Sequence, residues 1–99
     1  MRVLALPRLH QGVQVEELQR HRTAEIQAVW DLYAQGICRE FYVRADQPSA
    51  AILMFESASV EAARDALGAL PLARLNLLDF DLIPLAPFTP LQSLFQTAR

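Results

Sequence analysis

Apolar and polar positions follow two different periods along this chain, and the changes of period mark its elements. Arg2 to Leu6 is a short apolar run stopped by Pro7, which predicts a strand and then a loop through Arg8-Leu9-His10-Gln11-Gly12. From Val15 to Gln35 the period becomes helical. Val15, Leu18, Ile26, Val29, Leu32 and Tyr33 share one face, and Gly36 supplies a stop, so a single long helix is expected. Ile37 to Arg44 is β-branched and aromatic, Asp46-Gln47-Pro48-Ser49 makes a turn, and Ala50 to Phe55 continues as the second arm of a hairpin. Ser57 and Ser59 offer N-cap oxygens to a shorter helix carried by Val60, Ala63, Leu67 and Leu70, with Pro71 as its end. Leu75 to Leu85 forms a last strand. A tail with Pro84, Pro87 and Pro90 follows, with a short helix from Leu91.

The order βαββαβ predicts an α+β fold of ferredoxin-like type, a four-stranded antiparallel sheet with both helices on one face and spatial order 4-1-3-2. The first and third strands are then central. Both are apolar at successive positions, whereas Arg39, Glu40, Asp79 and Asp81 fall in the predicted edges. A sheet covered on one face only should alternate apolar and polar residues. Central strands that do not alternate imply cover on both faces, and a second copy of the same sheet packed through a twofold axis supplies it. A homodimer is therefore expected, and a higher oligomer of dimers is open. In the 86–99 tail, Phe88, Leu91, Leu94 and Phe95 are too apolar to float free and are expected on a partner subunit.

Ninety-nine residues allow one domain, 1–99, and 53% hydrophobic content excludes a disordered tail. No apolar run reaches the length of a membrane helix, so no membrane partner is expected. All nine cations are Arg against eleven acids, a net charge of -2. That balance argues against a nucleic-acid partner, and the lack of Lys excludes Schiff-base chemistry and a P-loop. The single Cys38 excludes an internal disulfide and is read as a small buried hydrophobe. Without a signal-peptide pattern at the start, a cytoplasmic protein is expected.

Leu32-Tyr33-Ala34-Gln35-Gly36 leading into Arg39-Glu40, the strand end Phe55-Glu56-Ser57, and Ala69-Leu70-Pro71-Leu72 before the last strand together resemble the muconolactone isomerase-like proteins of the dimeric α+β barrel superfamily. The resemblance covers most of the chain from about Glu17. It implies a dimeric barrel, and a superfamily that hosts isomerases, cofactor-free oxygenases and decarboxylases. Where the characterised isomerases carry Lys in the long helix, this chain has Arg20, His21 and Arg22. Its Trp30-Asp31-Leu32-Tyr33 segment looks more like the uncharacterised branch.

Candidate chemistry gathers on the long helix. At 100° per residue Arg22 falls at the centre of the apolar stripe with Glu25 beside it. Such a pair closes on itself as a half-buried ion pair or lines a cleft between helix and sheet. In the cleft, Arg22 anchors a substrate carboxylate, and Glu25 or His21 moves a proton. Trp30, Tyr33, Tyr42 and Arg39 would supply walls and contacts. A plain packing role for the aromatics, and an exposed His21, are the simpler alternatives. His10 stands in a loop, and Asp79 and Asp81 read as charges blunting an edge strand. No local His-x-x-x-His spacing exists, and neither a metal nor a cofactor is expected. The reading is a small cofactor-free enzyme acting by proton transfer on a small hydrophobic or aromatic-derived acid or lactone. A non-catalytic small-molecule-binding or assembly protein, or a cofactor-free monooxygenase, is the alternative.

Overall fold

The computed structural model describes residues 1–96. Strand β1 (Arg2–Leu9) is followed by helices α1 (Val15–Arg20) and α2 (Arg22–Ala34), then β2 (Cys38–Tyr42), β3 (Ile52–Glu56), α3 (Val60–Gly68), α4 (Pro71–Arg74) and β4 (Leu78–Leu85), with a 3₁₀ helix over Thr89–Leu94. The chain is α+β. Its four strands form one antiparallel sheet in the order β2-β3-β1-β4, compatible with a ferredoxin-like arrangement. Alternation along β1 and β3 sends Val3, Ala5, Leu53 and Phe55 into the main core, where they meet Val29 of α2 and Ala63 and Leu67 of α3. A second cluster of Leu72, Leu77 and Leu78 takes in Val13 and Leu18.

These two clusters explain why the expected single helix is two. Leu18 belongs to one and Val29 to the other, and residues 19–24, Gln-Arg-His-Arg-Thr-Ala, offer no large apolar anchor between them. The helix breaks at His21 (φ -107°, ψ 8°), whose N–H bonds to the Leu18 carbonyl, three residues back. Pro71 likewise opens an element instead of closing one: α3 stops at Gly68, and Pro71 stands in the first turn of α4, where its missing N–H costs nothing. Asn76, with φ 61°, then turns the chain into β4, which starts at Leu78 and not at Leu75.

β1 runs past Pro7 to Leu9. Its pairing with β3 ends at Ala5, so Pro7 faces a strand partner only on the β4 side, where it lies opposite Phe80. In β2 a bulge between Cys38 and Glu40 leaves Arg39 out of the ladder, puts Cys38 in the core, and pairs Glu40 with Met54. The sheet face opposite the main core carries Leu4, Leu6, Ile52, Met54, Ile83 and Leu85. Arg2, Glu40 and Glu56 stand at one end of it, and Arg8, Asp79 and Asp81 at the other.

Beyond β4 the chain leaves the body. The backbone donors of Thr89, Leu91 and Phe95 all bond within this arm, to Pro87, Phe88 and Gln92. The Cα radius of gyration, 16.5 Å, exceeds the roughly 12.6 Å of a compact chain of this length, and the longest extent is 63 Å. The part of the 86–99 tail beyond residue 96 lies outside the described residues.

Candidate functional site

The residues expected to share one cleft occupy three places. Arg22 is exposed, because it opens α2 one turn beyond Glu25, where the stripe has passed the edge of the core. Glu25 is half-buried and accepts a hydrogen bond from the Leu72 N–H at 2.9 Å. Leu70, the N-cap of α4, provides no side-chain cap, and Pro71 has no N–H, so Glu25 satisfies the first free donor of that helix from another element. Burial raises the Glu25 pKa above the ordinary carboxyl value, and the Leu72 hydrogen bond offsets part of the rise. His21 sits half-buried at the α1–α2 break.

Trp30 and Tyr33, expected to wall a cleft between helix and sheet, are 54% and 44% exposed. Val29, Ala28 and Leu32 take the inward arc of α2, leaving Ile26, Trp30 and Tyr33 as a neighbouring outward stripe at i, i+4, i+7. Trp30 and Tyr33 lie 5.3 Å apart between ring centroids, and Tyr33 meets Phe41 of β2 edge-to-face at 5.4 Å. Tyr42 belongs to the opposite sheet face. Its hydroxyl donates to Glu40 at 2.6 Å, which raises its pKa. Arg39 is exposed at the bulge. The structure thus separates Glu25 and His21 from Arg39 and Tyr42.

A charged cluster across β1 and β4 joins Asp79 and Asp81, which the strand pattern treated as solvated edge, to Arg8 and His10, which it placed in a loop. Arg8 donates to Asp81 at 3.2 Å. His10 donates from Nε2 to Asp79 at 2.7 Å and from Nδ1 to the Asn76 carbonyl at 2.6 Å. Both contacts raise the His10 pKa, with the Asp79 bond first, and His10 in turn lowers that of Asp79. Only the β1–β4 register, which sets Arg8 opposite Asp79, brings these residues together.

Two recesses adjoin this cluster. One of about 500 Å³ curls round the β4 edge between Arg64, Leu67 and Gly68 of α3 and Phe80 and Leu82. The other, about 460 Å³, opens on the exposed sheet face beneath the turn that joins β2 to β3. Leu6, Pro7, Pro48 and Ile52 wall it, with Arg8 and Arg44 at its rim. Arg44 binds Asp46 bidentately at 2.6 and 2.9 Å, while Arg8 uses one N–H on Asp81. Neither recess includes Arg22 or Glu25. Among the described residues no three His, Cys, Asp or Glu side chains converge as a metal-binding group, and no helix is long and apolar enough to cross a membrane. No known family model matches the chain, and a comparison with curated proteins finds no match.

Proposed function

We propose that this chain is a small-molecule-binding protein of the reducing cytoplasm, assembled as a homodimer of dimeric α+β barrel type through its open sheet face. The observation that carries the reading is that face: Leu4, Leu6, Ile52, Met54 and Ile83 form an apolar centre that no layer covers among the described residues. Each end of it holds both signs of charge, Arg2 with Glu40 and Glu56, and Arg8 with Asp79 and Asp81. A twofold copy can therefore exchange ion pairs in either register, and two stacked sheets bury their central side chains. The recess of about 460 Å³ is within the range of small-molecule pockets, and a facing copy would close it. Its apolar walls and the remaining Arg8 donors suit a small organic carboxylate. Sedimentation equilibrium at micromolar concentration tests the assembly: at least twice the chain mass is expected, with a smaller mass in Leu6→Glu. A wild-type monomer overturns it. Benzoate shifting the NMR signals of Arg8 and Arg44 is the expected ligand result, and no shift at millimolar benzoate removes the site.

Glu25 favours a second reading, a muconolactone isomerase-like enzyme that works by proton transfer without a cofactor. A half-buried carboxyl whose pKa is raised by burial holds a proton more readily than an exposed one, which suits it to act as a base. Lactone isomerisation lost in Glu25→Gln but kept in Arg22→Ala would support Glu25 alone as the base. Equal turnover in wild type and Glu25→Gln removes it.

A further inference from the structure

We infer that the aromatic stripe of α2 and β2 is the seat of the C-terminal arm of a second copy of this chain. The inference does not depend on sheet-to-sheet dimerisation, because it uses a different surface.

The arm is built as an apolar ridge. In a 3₁₀ helix side chains three apart eclipse one another, so Phe88 at the N-cap, Leu91 and Leu94 stack on one side, with Phe95 next to them. Phe88, Leu94 and Phe95 are each about three-quarters exposed, at 73%, 74% and 79%. Residues 84–96 contain no charged side chain. The stripe is the matching acceptor: Ile26, Trp30, Tyr33 and Phe41 are half-exposed and adjacent, and the two aromatic contacts hold three of them in place.

Charge assigns the occupants of the two apolar surfaces. The open sheet face ends in Arg2, Glu40, Glu56, Arg8, Asp79 and Asp81, and an uncharged arm laid across it would desolvate them with nothing to offer in return. The α2–β2 stripe presents ring faces and an Ile, to which an uncharged ridge is complementary. Area supports exchange between copies. An arm and a stripe together would hide on the order of 800 Å², and a reciprocal exchange about 1,600 Å², the size of a standard stable interface. One arm folded back on its own chain would gain half of that. It would also have to cross from β4 to β2, opposite edges of the sheet.

The test uses full-length chains. In a Cys38→Ser background, differently tagged Tyr33→Cys and Phe88→Cys chains are mixed and oxidised, and a disulfide between the two tags is expected. Trp30, the single tryptophan, reports independently: diluting the wild type should shift its emission to the red. Phe88→Ser/Phe95→Ser should raise the dilution midpoint tenfold or more while leaving far-UV circular dichroism unchanged, since both side chains lie outside the core. A disulfide forming only within a doubly substituted single chain would show that the arm folds back in cis and overturn the inference. So would Trp30 emission that ignores both dilution and the arm substitutions.

Discussion

His10 and Asp79 are joined at 2.7 Å across the β1–β4 pair, and the other His10 nitrogen donates to the Asn76 carbonyl at 2.6 Å. A ring that donates from both nitrogens is an imidazolium, so the clip between the end of β1 and the start of β4 depends on protonation. Because one nitrogen lies against a carboxylate and the other against a carbonyl, neither has a free lone pair for base catalysis. The pair is a fastening of the strand ends.

The pH dependence follows from its sign. The His10 pKa is raised on folding, so its contribution to stability is complete below the unfolded value of ~6.5 and is lost as pH rises through the folded value. Thermal melting should show wild-type stability falling as pH rises from ~6.5 through the folded value, with that fall reduced in His10→Gln. A titration of His10 by NMR with its midpoint below 6.5 would contradict the clip.

Glu25 separates capping from charge. Glu25→Ala removes the acceptor of the Leu72 N–H and should cost about 1–2 kcal/mol in urea unfolding. Glu25→Gln keeps an acceptor oxygen without the buried charge. Because burial raises the Glu25 pKa, ionisation disfavours the fold as pH climbs from the unfolded value to the folded one. Relative to wild type, the Gln variant should therefore gain stability over that interval.

Ser59 caps α3 by accepting from the Ala62 N–H at 3.0 Å. Ser59→Ala should lower stability by about 1 kcal/mol, and Ser59→Asp, which also suits the positive helix end, should restore most of it. Chemical denaturation of the three chains side by side is the measurement.

Cys38 is fully buried, and burial raises its thiol pKa above the ordinary value. Native protein should react with iodoacetamide far more slowly than urea-unfolded protein at the same pH. Equal rates would place Cys38 outside the core.

The sequence by itself determined the local features. The apolar runs of β1 and β3, the Ser59 cap and the apolar content of the arm are written in neighbouring residues. The α+β class and the antiparallel sheet follow from those patterns. Tertiary structure decided what depends on distant partners. Leu18 and Val29 answer to different core clusters, so one helical period became two helices, and α2 ended with Ile26, Trp30 and Tyr33 outside. Arg22 and Glu25 share a stripe in sequence. The core reaches only as far as Glu25, whose partner Leu72 stands 47 positions away, and no periodicity encodes that distance. His10 and Asp79 meet because the β1–β4 register aligns them, and a register between distant strands is set by the packing of the whole sheet.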